Sequence, residues 1–115
     1  MIRRIDSGKR MSQAVVHGKT IYLAGQVADD TSADVAGQTR QVLSKIDRLL
    51  ESCGSHKSDI LSATVYLSDI GAFDTMNAEW DAWVATDNKP ARATVEAQLA
   101  APEYRVEIVI IAALD

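Results

Sequence analysis

Residues 60–69 read Ile60-Leu61-Ser62-Ala63-Thr64-Val65-Tyr66-Leu67-Ser68-Asp69, and within the next few residues the period of the apolar side chains changes. Leu61, Ala63, Val65 and Leu67 alternate with Ser62, Thr64 and Tyr66, the two-residue period of a strand with one apolar face. Asp69 is then placed to cap a helix. From Ile70 to Val84 the residues Phe73, Met76, Trp80, Trp83 and Val84 form a helical stripe, with Asn77 inside it. A strand feeding a helix with a single apolar stripe calls for a sheet with helices laid on one face.

Upstream, residues 11–17 and 19–26 flank Gly18 and read as a β-hairpin, with Ile21 and Leu23 on one face and Tyr22 and Ala24 on the other. Ile2–Ile5 allows a further short strand. After a polar loop over 27–33, Val35, Val42, Leu43, Ile46, Leu49, Leu50 and Cys53 recur at helical spacing. Asp34 suits the start of that helix and Gly54 its end. Downstream, Pro90 enforces an extended entry to a strand over 92–99, in which Ala93, Val95, Ala97 and Leu99 alternate with Arg92, Thr94, Glu96 and Gln98. Pro102 marks a turn before a last, very apolar strand over 104–113.

The expected order is β-β-α-β-α-β-β in one domain, residues 1–115. The expected fold class is α+β: a two-layer sandwich, a mixed sheet covered on one face by two helices. The other face is left bare, with Tyr22, Thr64, Tyr66, Arg92, Thr94 and Glu107 assigned to it. A mixed aromatic and polar face on so small a protein suggests self-association.

Composition narrows the function classes. The chain has 115 residues, 47% of them apolar and 24% charged, enough to bury a core. Twelve Lys and Arg against sixteen Asp and Glu leave a net charge of −4, which argues against nucleic-acid or anionic-membrane partners. The longest apolar run, Ile108–Leu114, is far short of the roughly 20 residues of a membrane span. The N-terminal Met-Ile-Arg-Arg-Ile-Asp lacks the apolar core of a signal peptide. A single cysteine, Cys53, excludes an intramolecular disulfide framework, and a cytoplasmic location is expected. Cys53 and His56 are the only pair that suggests a metal or nucleophile, and Cys53 already belongs to the helix stripe, which favours packing. No phosphate-binding glycine loop is present.

Three polar residues interrupt apolar patterns. Arg92 opens an otherwise apolar alternation and needs an anionic partner. That partner is either a ligand carboxylate or phosphate, or a structural one such as Glu96 or Glu107. Glu107 sits among Val106, Ile108, Val109, Ile110 and Ile111, where a buried carboxylate must pair with an arginine or handle a proton unless it lies at an exposed edge. Asn77 is either hydrogen-bonded within the stripe or at its margin. Trp80 and Trp83 read as core. Asp29, Asp30, Asp34, Glu51 and Asp59 read as solvated charges.

Pro90-Ala91-Arg92-Ala93-Thr94-Val95-Glu96 resembles the P-A-R-[SA]-x-V-E strand of the RidA (YjgF) family of reactive-intermediate deaminases. Gly25-Gln26-Val27, Gln38 to Leu43, Thr64 to Asp69, Met76 to Trp80 and Val106-Glu107-Ile108 are similar to further blocks of that family, so the resemblance spans about residues 11–113. It implies a chorismate-mutase-like homotrimer with clefts between subunits and no metal or cofactor. It implies hydrolysis of enamines and imines, such as 2-aminoacrylate and 2-imino acids, to 2-keto acids and ammonia. By the same resemblance Arg92 binds the substrate carboxylate, Glu107 holds the attacking water and Asn77 lines the cleft. Thr94 stands where many members have cysteine. Met11 stands where many have a cleft tyrosine, and Ala24, before Gly25, where they have serine. Both of the latter changes remove a hydroxyl, which keeps open a non-catalytic trimer that binds small carboxylates such as 2-keto acids. A third reading is a different hydrolase on the same scaffold, acting on an N-acylated or ring-nitrogen substrate. Nuclease activity has been ascribed to some relatives, and the acidic charge gives it little support.

Overall fold

A computed structural model describes residues 1–115. Six strands and two α-helices are formed: β1 (Ile2–Ser7), β2 (Ser12–His17), β3 (Thr20–Leu23), α1 (Val35–Ser52), β4 (Ile60–Leu67), α2 (Phe73–Trp83), β5 (Ala91–Glu96) and β6 (Val106–Ala113). The strands make one sheet in the order β1-β2-β3-β6-β4-β5. Only β4 and β5 run parallel, joined by the α2 crossover, so the sheet is mixed. Both helices cover the same face, which is the expected two-layer α+β sandwich.

Local chemistry explains the element ends. His17 and Thr20 pair across Gly18, whose φ of +62° gives the hairpin a turn of the type that favours glycine first. The Asp34 side chain accepts from the Gly37 N–H at 2.9 Å and starts α1. At the other end Gly54 adopts φ +83°, so that Gly54 N–H reaches Glu51 O at 3.0 Å and Ser55 N–H reaches Leu50 O at 2.8 Å.

Between the layers, α1 contributes Val42, Leu43, Ile46, Leu50 and the residue after it, Cys53; α2 contributes Met76 and Trp80. They meet Ala63, Val65 and Leu67 of β4 and Val106, Ile108, Ile110 and Ala112 of β6. Burial pushes the Cys53 thiol up, and His56 uses Nδ1 to accept from Ser58 N–H at 3.2 Å, so the two serve packing and a turn. The helices are pinned to each other by Trp83 Nε1 donating to Asp47 at 3.0 Å and by the Arg40–Glu79 pair at 3.1 Å. Lys57 donates to the Trp83 carbonyl at 2.6 Å and closes the C-terminus of α2.

Four sequence expectations are corrected. A bulge between Ile60 and Ser62 inserts one residue opposite β6, so Ile60 enters the core and Leu61 is 52% exposed. Ile70–Ala72 is a 3₁₀ turn ahead of α2, because the Asp69 carboxylate accepts from Gly71 N–H at 2.8 Å and tightens the entry. β5 ends at Glu96 rather than continuing to residue 99, and β6 begins at Val106 rather than at 104. Arg92 and Thr94 lie on the helix-covered face and not on the bare one: Arg92 pairs with Ala63 and Thr94 with Val65, both core residues.

Three polar residues that no apolar pattern marks are buried, Gln26, Gln38 and Thr39, and Gln38 reaches the most distant partners. Gln38 on α1 is fully buried, and its side chain donates to the carbonyls of Thr31, Ala33 and Glu103 and accepts from Arg105 N–H at 2.9 Å. It ties two loops to the entrance of β6, and nothing in the apolar pattern marks it. Gln38→Leu keeps the volume and strands these backbone groups. It is expected to lower stability by about 2–4 kcal/mol in urea unfolding.

Candidate functional site

Arg92 sits on β5, the edge strand under α2. Its guanidinium carbon lies 5.1 Å from the centre of the Trp80 ring and 5.9 Å from that of Phe73, and Nη1 is 4.0 Å from Met76 Sδ. These contacts are those of a cation over aromatic faces and a thioether. It has no carboxylate partner. The ion pairs of the chain are Arg40–Glu79 and Lys45–Asp29. Glu96, a structural candidate, accepts instead from Ile70 N–H at 2.9 Å, and Glu107 is on the opposite face of the sheet. Burial lowers the Arg92 pKa, and the nearby Asp81 only partly opposes this. A partly desolvated, stacked and unpaired guanidinium is ready to take an anion in bidentate fashion.

Two more polar atoms lie on this side of the sheet. Thr94 follows Arg92 on the same face of β5, and Asn77 follows Met76 on α2. Thr94 Oγ1 and Asn77 Oδ1 are both buried without a hydrogen-bond partner. Buried polar atoms are rarely left so, and here they leave bonding capacity for a ligand. Trp80 is core, as expected, but it is also a platform for Arg92. No sequence signal links a helical aromatic to a cation twelve residues further along the chain.

Glu107 belongs to a different surface. It pairs with Tyr66 across β6 and β4 on the bare face, half-buried, in the row that continues to Val95, with Val109 and Thr64 next along and Tyr22, opposite Ile111, further away on the same face. With Tyr66, Leu99 and Val109 it lines a shallow cleft of about 310 Å³. Gly25 lies directly against it. A Cβ built on Gly25 would overlap the carboxylate and meet Glu107 Cδ at 2.9 Å, so only glycine leaves the side chain where it is. Gln26 holds this stretch to β6 by exchanging backbone hydrogen bonds with Ile108 at 3.0 and 3.1 Å. Ala24 donates to Gln13 O at 2.9 Å, and Met11 is 58% exposed ahead of β2.

The candidate residues therefore fall into two groups. Arg92 and Thr94 share the helix-covered face of β5, and Asn77 is on α2, the helix that Arg92 touches. Glu107 and Gly25 gather on the bare face, which carries Tyr22 and Val95 at 46% and 41% exposure.

The family model described as Endoribonuclease L-PSP matches residues 1–114. A protein from Haemophilus ducreyi, described as a RutC family protein, is 49% identical over 115 residues, covering 100% of this chain and 98% of that one. This chain belongs to the YjgF/RutC family. A further member, the RutC family protein YoaB of Escherichia coli K12, is 47% identical over 113 residues and 98% of each chain. A crystal structure of a YjgF family member from Neisseria meningitidis superposes with a TM-score of 0.97 at 47% identity, covering 100% of this chain and 96% of that one. The YjgF/RutC fold thus extends over the β-layer and both helices described above. No helix is long and apolar enough to cross a membrane.

Proposed function

We propose that this YjgF/RutC member is a cytoplasmic hydrolase of 2-imino acids and their enamine tautomers, working as a homotrimer of single domains at sites shared between subunits. The observation that carries the reading is the unpaired, partly desolvated Arg92 together with two orphaned polar atoms, Thr94 Oγ1 on the same face of β5 and Asn77 Oδ1 on α2. Arg92 holds the substrate carboxylate. Asn77 Oδ1, an acceptor, takes the imine N–H, and the Thr94 hydroxyl bonds the substrate or the attacking water. Glu107 is on the other face of its own sheet, so a site containing both residues draws them from two copies of the chain. The exposed apolar and aromatic bare face supplies the contact between copies.

The chemistry is hydrolysis. The imine is held protonated; Glu107 accepts a proton from water, the water oxygen bonds to C2, and the C=N pair of electrons moves to nitrogen, which becomes a neutral amine. The resulting carbinolamine expels nitrogen as ammonia when Glu107 returns its proton to nitrogen and the hydroxyl proton is lost. A 2-keto acid remains, and no oxidant or metal is consumed.

The alternative, a trimer that only binds 2-keto acids, uses the same Arg92. A keto acid brings no donor to Asn77 Oδ1, whereas an imino acid does, and this favours the hydrolase. The description of the family model as an endoribonuclease is the other alternative, and a net charge of −4 disfavours a phosphate backbone as substrate.

The test is an assay in which an amino-acid oxidase generates 2-imino acids in situ and semicarbazide traps what survives. Accelerated loss of imine with the wild-type protein supports the reading. Binding of 2-keto acids without imine turnover would replace it with the binding role. In the same assay Gly25→Ala is expected to lower turnover at least about tenfold while the melting temperature changes little, because the Glu107 carboxylate can swing aside but then leaves its place.

A further inference from the structure

At the β1 edge of the sheet, at the far end of the strand order from Arg92, a second polar cleft of about 410 Å³ opens between α1 and the β1–β2 hairpin. Asp6, Gln13, Gln26, Lys45, Arg48 and Ser52 line it. That volume is in the range of small-molecule sites. Charges of both signs face it, and they are not paired with each other: the ion pairs of the chain are Arg40–Glu79 and Lys45–Asp29.

Asp6 and Arg48 are both exposed, at the mouth of this cleft, and the backbone at Asp6 departs from the strand. Its φ is +52°, a left-handed conformation that non-glycine residues rarely adopt. It interrupts the β1–β2 ladder, in which Ile5 pairs with Ala14 and Ser7 with Ser12. The cleft floor is also held in place. Gln26 is buried, and its Nε2 donates to Gln13 Oε1 at 3.1 Å and to Ala24 O at 3.0 Å. Lys45 is anchored by Val27 O and Asp29 at 2.9 Å each. Arg48 has a single side-chain hydrogen bond, a 3.3 Å contact with Ser44, which leaves most of its donors free.

We propose that this cleft binds a small zwitterion with a carboxylate and an ammonium group on one carbon, the chemistry of a free α-amino acid. Arg48 takes the carboxylate and Asp6 the ammonium. The Gln13 and Gln26 amides, fixed to each other, line the same cleft. A ligand with one charge would leave either Asp6 or Arg48 unmatched. Because the cleft is at the edge of the sheet opposite β5, its ligand does not compete with Arg92 for space.

An NMR titration of the ¹⁵N-labelled full chain with L-serine tests this, with propionate and ethylamine as single-charge probes. Asp6→Asn is the informative variant, since asparagine tolerates the left-handed conformation and lacks only the charge. The expected result is that L-serine shifts the amides of Asp6, Gln13 and Arg48, and that each single-charge probe binds at least about tenfold more weakly. Asp6→Asn and Arg48→Gln should each weaken L-serine at least about tenfold, and Arg92→Ala should leave its affinity unchanged. Three results would overturn the proposal: no shift at these amides, loss of binding in Arg92→Ala but not in Asp6→Asn, or propionate binding as tightly as L-serine.

Discussion

Arg92→Ala is expected to reduce kcat/KM for 2-imino acids by about 10²–10³-fold, the loss of two charge-assisted hydrogen bonds to the substrate carboxylate. Its stability should change by no more than about 1 kcal/mol, because relief of the buried charge is offset by the lost stacking on Trp80 and Phe73. Burial depresses the Arg92 pKa, so its protonated form is disfavoured by folding, and no ion pair offsets that cost. The sign follows from linkage: the unfolded chain holds the Arg92 proton more tightly, and the penalty is present at every pH below the folded-state pKa. Neutral pH is inside that window, so the variant relieves this cost while it gives up the contacts with Trp80, Phe73 and Met76. Arg92→Lys keeps the charge but not the planar fork, and it should recover only a small part of the activity. Urea unfolding and size-exclusion chromatography check the structural half, and the imine-trapping assay the catalytic half. Collapse of the assembly in Arg92→Ala would show that Arg92 bridges subunits rather than binding substrate.

Co-expression of Arg92→Ala with Glu107→Gln should restore activity that neither variant has alone. The two residues are on opposite faces of one sheet, so a site built from both would take Arg92 from one copy and Glu107 from another. With random mixing in equal amounts, about a quarter of sites draw both residues from unmutated positions, and activity should recover to about that share. Mixing separately purified proteins without subunit exchange should restore nothing. A mixture that stays inactive despite verified mixed assemblies would place both residues of a working site in a single chain.

The strand and helix order was legible because each element carries its own period. The α1 stripe, the Asp34 cap and the Gly54 stop are all local features, and the structure contains them as read. The errors came where local pattern meets distant pairing. Leu61 follows the alternation of β4 perfectly, yet a bulge set by the register against β6 turns it outward and Ile60 inward. Residues 97–99 continue the alternation of β5 but have left the strand. Gln38 carries no periodic signal at all, since its hydrogen bonds reach residues 31–33 and 103–105.

The candidate site divides the same way. That Arg92, Glu107 and Asn77 break apolar patterns is written in the chain, as is the resemblance that singles out Gly25 and Thr94. The chain alone left Arg92 free to pair with Glu96 or Glu107. An edge strand is only half covered by helices, so alternation there does not tell which set of side chains faces in. Pairing of Arg92 with Ala63 and of Thr94 with Val65 placed the guanidinium under α2, against Trp80 and Phe73 and away from both carboxylates. The sequence by itself determined the elements and the residues that carry charge into them. Only the tertiary structure decided which face each charge occupies, because strand register is settled by contacts between segments far apart in the chain.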